Sequence, residues 1–211
     1  NMSFRSLKSG NEVLTYRGDP LPVSLLDFWR WSVSDILSNA TRGRFAEFIV
    51  ASAIGVDLQQ VRDEWQAYDL VSPEGVKIEV KSSAFVQSWN QVRPSVITFS
   101  IRPSRYWDAN SNKQAKVPQR HADAYVFCLL AHLDKSTIDP MKMDQWKFFV
   151  VPTLALDGYK RSQSSITLKS LEKLSSAIEY GEIRSAVSAM SSSPRGTATN
   201  TGHNGAHLRR S

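Results

Sequence analysis

The 211-residue chain contains one cysteine, Cys128. A single thiol excludes an internal disulfide and any zinc centre built from several thiolates, and it suits a reducing compartment. Cys128 lies in the apolar run Ala124-Tyr125-Val126-Phe127-Cys128-Leu129-Leu130, where a thiol reads as core packing rather than as a nucleophile. No apolar stretch approaches the roughly 18 residues that a membrane helix needs, and no basic-then-apolar leader opens the sequence. Phosphate loops of the G-x-x-x-x-G-K-[ST] kind are missing, so neither an ATP-driven mechanism nor a nucleotide cofactor has local support. His121 and His132 are too isolated to suggest a Ser-His or Cys-His pair, and His203 with His207 falls in a polar C-terminal stretch. The expectation is a soluble cytoplasmic protein with no membrane partner.

What is present is an ordinary globular composition, 41% apolar, with 26 Lys and Arg against 20 Asp and Glu. Three of the six net positive charges are Arg195, Arg209 and Arg210, near the C-terminal end. The remaining excess permits nucleic-acid binding without demanding it. Residues 1–20, with Gly10, Gly18 and Pro20, read as an N-terminal arm; 21–184 as one α/β domain; and 185–211, rich in Ser, Thr and Gly, as a flexible basic tail that buries too little to offset its ordering entropy.

Within the domain, Leu25, Leu26, Phe28, Trp29, Ile36 and Leu37 recur at helical spacing from Ser24 onward. Thr41 is placed to cap a second helix that carries Phe45, Phe48, Ile49 and Ala53 on one stripe and ends at Gly55. Strand texture follows: Trp65 to Val71 and Val76 to Ser82 flank the turn cluster Ser72-Pro73-Glu74-Gly75, which reads as a β-hairpin. Ser95 to Ile101 reads as a third strand, and Ala122 to His132 and Trp146 to Val151 as buried central strands. Leu168 to Ile178 reads as an amphipathic helix that covers the core or packs against a second copy.

The hairpin carries the chemistry. Alternation along Val76-Lys77-Ile78-Glu79-Val80-Lys81 puts Ile78 and Val80 on one face and Glu79 and Lys81 on the other, and a five-residue loop sets Asp69 directly opposite Glu79. Two facing carboxylates repel unless a cation sits between them. Hard oxygen ligands without thiolate or paired imidazole suit Mg²⁺ or Mn²⁺. Such an ion polarises a phosphodiester oxygen and activates water, and a lysine two residues away orients that water or offsets phosphate charge. An acid-x-Lys triplet alone is uninformative, since about one is expected by chance in a chain of this composition. The alternative is a solvated charged face on an edge strand.

The hairpin bearing Asp69 and then Glu79-Val80-Lys81, preceded by Arg42-Gly43-Arg44-Phe45-Ala46-Glu47-Phe48, resembles the PD-(D/E)xK nuclease superfamily, to which restriction endonucleases belong. The resemblance spans roughly Arg42 to Ile101 and implies a restriction-endonuclease-like α/β fold, a mixed sheet flanked by helices with an αβββαβ core. It implies Asp69 and Glu79 as metal-binding carboxylates, the Val80 backbone carbonyl as a further ligand, Lys81 as the catalytic lysine, and Glu47 as an upstream acid that reaches the metal directly or through water. Tyr68 stands where the signature often has proline.

After the motif, Ser82 and Gln87 are candidate accessory residues for phosphate or for steadying the lysine or a water; the competing reading makes Ser82 a strand end and places Phe85 and Trp89 in the core on a short helix. From Ser82 to Arg120, six cations, Arg93, Arg102, Arg105, Lys113, Lys116 and Arg120, meet a single acid, Asp108. With Tyr106 and Trp107 interleaved, this segment is expected to bind the nucleic-acid backbone. The resulting expectation is a Mg²⁺-dependent, bacterial endonuclease that acts on DNA in preference to RNA, in restriction or anti-phage defence, with a homodimer consistent with double-strand cutting. A catalytically silent nucleic-acid-binding module of the same fold and an RNA-directed nuclease are the alternatives.

Overall fold

The computed structural model describes residues 6–62, 66–105, 107–108, 113–114 and 117–191. In chain order the elements are β1 (Val13–Tyr16), β2 (Asp19–Ser24), α1 (Leu25–Val33), α2 (Asn39–Ile54), β3 (Leu70–Val71), β4 (Lys77–Ala84), β5 (Thr98–Ser100), β6 (Trp107–Asp108), β7 (Lys113–Gln114), β8 (Ala124–Leu130), β9 (Trp146–Pro152), α3 (Thr153–Asp157), β10 (Ser165–Thr167), α4 (Leu168–Leu174) and α5 (Ile183–Ser191). No helix among them is long and apolar enough to cross a membrane.

A four-stranded mixed sheet, ordered β3-β4-β8-β9, forms the centre. β4 runs parallel to β8, and the outer pairs, β3 with β4 and β8 with β9, are antiparallel. β8 is buried at all seven positions, as a continuous apolar run in a doubly covered sheet requires. Its side chains alternate between two cores. On one face Ala124, Val126, Cys128 and Leu130 pack with Ile78 and Val80 of β4, Ala46, Ile49 and Val50 of α2, and Val187 of α5. On the other, Tyr125, Phe127 and Leu129 pack with Phe99 of β5, Ile166 of β10 and Leu171 of α4. Cys128 is fully buried, which pushes its thiol pKa far up, in keeping with a packing role.

Several expectations are corrected in detail. The second helix begins after Ser38, three residues before Thr41 and without a side-chain capping hydrogen bond, and Gly55 ends it in the left-handed region at φ 79°. Its buried stripe runs through Arg42, Ala46, Ile49, Val50 and Ile54, because small and branched residues let the backbone approach the sheet; Phe48 lies outside it. The third strand shortens to β5 and pairs antiparallel with β10 in a separate two-stranded sheet, so the central sheet takes its remaining strands from later in the chain. Phe85 and Trp89 lie on bends rather than on a helix, and Trp89 is exposed. The Leu168 helix stops at Leu174. Residues 185–191 continue α5, whose Ile183 and Val187 enter the core; the rest of the expected tail, residues 192–211, lies outside the described residues. The expected N-terminal arm contains β1 and the start of β2, a hairpin leading into α1, and Ser24 and Asp27 close a reciprocal cap on that helix.

Candidate active site

The hairpin turn sets the register at the sheet edge. Gly75 adopts φ 85°, a left-handed conformation that suits glycine, and its N–H donates to the Ser72 carbonyl at 2.8 Å. Leu70 then faces Ile78 and Val71 faces Lys77, the register that brings Asp69 to the level of Glu79. β3 is only two residues long, so beyond Leu70 the edge of β4 has no strand partner, and a side chain takes that place. The Val80 N–H donates to Asp69 Oδ2 at 2.8 Å. A strand residue's amide and carbonyl point to the same edge, so the Val80 carbonyl faces this opening too.

Four further side chains, Glu79, Lys81, Glu47 and Arg62, reach the same edge. Lys81 Nζ lies 2.6 Å from Glu79 Oε1 on the face of β4 away from α2. From α2, Glu47 accepts a hydrogen bond from Arg62 Nε. Arg62 Nη2 lies 3.5 Å from Asp69 Oδ1, so one guanidinium bridges the helical acid and the hairpin acid. Arg62 is a residue that the sequence did not single out, because it lies on a stretch without strand or helix periodicity. The four candidate side chains are partly sheltered and still reachable: Glu47 is 15% exposed, Asp69 18%, Glu79 21% and Lys81 30%.

The electrostatics bind these acids into one group. Burial raises the Glu79 pKa above the usual carboxylate range, the Asp69 charge raises it further, Lys81 opposes the shift and Glu47 adds to it. Glu47 is raised by burial and by Asp69, with the Arg62 hydrogen bond pulling the other way. Tyr125, the register partner of Glu79 on β8, is pushed up to about 12 by burial and the Glu79 charge, so it stays a neutral hydroxyl. Among the described residues no three His, Cys, Asp or Glu side chains stand close enough together to hold a metal ion as they are; the cation that spans Glu47 and Asp69 is Arg62.

The accessory candidates divide differently. Ser82 falls on the same face of β4 as Val80, opposite to Lys81. Gln87 is buried and tied elsewhere: it accepts from Arg42 Nη1 at 3.2 Å and donates to the Ala84 carbonyl at 2.9 Å and to Ser95 Oγ at 3.2 Å. It fastens α2 to the loop after β4 and does not steady Lys81. Arg120 is also structural. Its five N–H donors go to the Ile101 carbonyl twice, to Asp157, and to the side chain and carbonyl of Gln163, and its side chain is 2% exposed. A guanidinium saturated in this way has nothing left for phosphate. Arg93, Arg102 and Arg105 are exposed. Lys113 contributes its backbone to β7, and Tyr106 and Lys116 lie outside the described residues.

The model of the bacteriophage T4 endonuclease IV family matches residues 26–170. That span holds α2, the hairpin, the central sheet and every side chain of the acidic cluster. No curated protein matches the chain.

Proposed function

The chain belongs to the bacteriophage T4 endonuclease IV family, and on that premise we propose that it hydrolyses DNA phosphodiester bonds at the β3–β4 edge, in a site of the PD-(D/E)xK kind that works with Mg²⁺ or Mn²⁺. Membership makes it a nuclease. The observation that carries the finer reading is the placement of Glu47, Asp69 and Glu79 with the Lys81 ammonium at one open sheet edge, where burial and the Asp69 charge raise the pKa of both glutamates. The register of the hairpin and the lysine two residues after Glu79 support the PD-(D/E)xK assignment. Tyr68 in place of proline and the departure of β5 from the central sheet stand apart from that pattern.

The donor set fits a hard divalent ion: three carboxyls and a backbone carbonyl, with no sulfur or imidazole among them. The Arg62 bridge is the structural sign that these acids need a cation between them. Asp69, Glu79, the Val80 carbonyl and Glu47 would hold the ion once the guanidinium gives way. When bound, such an ion supplies Lewis-acid polarisation of the phosphodiester and a water of lowered pKa.

The protein's own groups do the rest. The Val80 N–H fixes the Asp69 carboxylate in orientation. Lys81, held by Glu79, places a positive charge where negative charge builds up on the phosphorane oxygens, and it donates a hydrogen bond that holds the attacking water in line. Exposed Arg93, Arg102 and Arg105 supply sequence-independent attraction for the backbone. Cleavage of foreign DNA, as in restriction or phage defence, is the biological setting of this proposal.

The test is cleavage of plasmid and linear DNA with Mg²⁺, Mn²⁺ or EDTA. Asp69→Ala, Glu79→Ala and Lys81→Ala are each expected to lower the rate on the order of a thousandfold with folding retained. Undiminished cutting by these variants, or cutting in EDTA, rejects the site. Single-stranded RNA run beside duplex DNA at equal salt decides the substrate class.

A further inference from the structure

Beside the acidic cluster, between α2 and β3, lies a pocket of about 390 Å³, within the roughly 300–1,000 Å³ range of small-molecule sites. One stripe of α2 at i, i+3, i+4 and i+7, Arg44, Glu47, Phe48 and Ala51, lines one side. Leu58 and Val61, from the segment after α2, also line it. Phe48 is 53% exposed although it is a phenylalanine in the middle of the helix that packs on the sheet. Leu58, Val61 and Val71 are exposed as well, and all four line this concavity. Large apolar side chains left uncovered around one hollow mark a binding wall. Glu47 and Asp69 belong to the same lining, so the hollow opens onto the acids.

Resting on the nuclease reading above, we propose that this pocket receives one nucleobase of the strand being cut, next to the scissile phosphate. A base has the chemistry the walls ask for: apolar faces and a hydrogen-bonding rim. The Phe48 ring offers a stacking surface. Gln60, Gln66 and Asp57 add hydrogen-bonding groups to the lining, and Arg44 and Arg62 add positive charge that suits a sugar-phosphate backbone. A base that enters must leave its neighbours' stack, so cutting depends on the presence of a base at one position relative to the scissile bond, and much less on bases elsewhere.

The test uses oligonucleotides in which a single abasic analogue is walked through the cut site. The wild-type protein should lose about tenfold in cleavage at one position only, the loss of one base–aromatic stack. Phe48→Ala should lose a similar factor on the intact strand and show no further loss when that position is abasic; Leu58→Ala should behave alike with a smaller loss. Both variants should melt near wild type, since the residues replaced are already exposed. With 2-aminopurine at that position and EDTA present, binding to wild type should raise fluorescence and binding to Phe48→Ala should not. Even cutting of the abasic series, or equal sensitivity of wild type and Phe48→Ala, overturns the pocket assignment while leaving a nuclease. Absence of cutting on every substrate overturns both.

Discussion

Residues 6–33 and the α/β body beyond them satisfy their apolar side chains in opposite ways. In the body, β8 buries every residue and both faces of the sheet are covered. In the N-terminal unit, β1, β2 and α1 contain no buried residue, and among the described residues none before Leu37 joins either apolar core. The unit is held locally: Leu25 and Leu26 N–H groups donate to the Glu12 and Gly10 carbonyls, the Ser24–Asp27 cap closes α1, and Trp29 lies over Gly10 so closely that a Cβ there would meet its ring at 3.0 Å. The lesson concerns amphipathic pattern. α1 has the cleaner apolar stripe and stays exposed, with Trp31 85% exposed. α2 has the less regular stripe and is the helix that packs on the sheet, because Ala46, Val50 and Ala51 allow close approach.

The sharpest way to break this comparison is truncation of one aromatic in each region. Phe148→Ala, at a fully buried position of β9, should cost about 3–5 kcal/mol, whereas Trp31→Ala should change stability by less than about 0.5 kcal/mol. Urea unfolding of both variants measures the difference, and equal losses would mean that the N-terminal unit is covered in solution.

A second comparison lies within the basic segment itself. Arg120→Ala removes a saturated internal hydrogen-bonding centre and should cost about 2–3 kcal/mol, with no change in the salt dependence of DNA binding. Arg102→Ala, at an exposed position, should leave stability alone and lower the slope of log affinity against log salt by about one if it contacts phosphate. Melting and binding titrations at several salt concentrations separate the two.

The smallest effect concerns the site's own stability. Glu79 holds its proton more tightly in the folded chain than in the unfolded one, through burial first and the Asp69 charge second. Its contribution to stability is therefore full below the ordinary glutamate range and is lost as pH rises through the raised value. Glu79→Gln cannot ionise, so it should melt a few degrees above wild type at about pH 8 and together with it at about pH 4, while cleavage is lost. Thermal melts at both pH values measure this; a lower midpoint for Glu79→Gln at the higher pH would show that the Lys81 pair outweighs the burial.

How much was legible follows the range of the interactions. The hairpin register is written in Ser72-Pro73-Glu74-Gly75, because a short turn with a left-handed glycine leaves its flanking strands few pairings. The central strands could be read because β8 and β9 are long apolar runs, and the α1 start because Leu25, Leu26, Phe28 and Trp29 recur at helical spacing from Ser24 onward. The pairing of β5 with β10, the anchoring of Gln87 by Arg42, the saturation of Arg120 by Gln163 and Asp157, and the Arg62 bridge were not legible. Each joins groups distant in the chain, and no local pattern distinguishes such an arginine from one that meets solvent.

By itself, then, the sequence determined what local chemistry can determine: the turn, the alternation that sends Glu79 and Lys81 to one side of their strand, and the mild basic excess. Tertiary structure decided the rest. It left β3 too short to cover the β4 edge, brought Glu47 across from α2, and opened a pocket where Phe48 meets no neighbouring layer. Those outcomes depend on which surfaces pack together, a choice made by the whole chain's competition for burial.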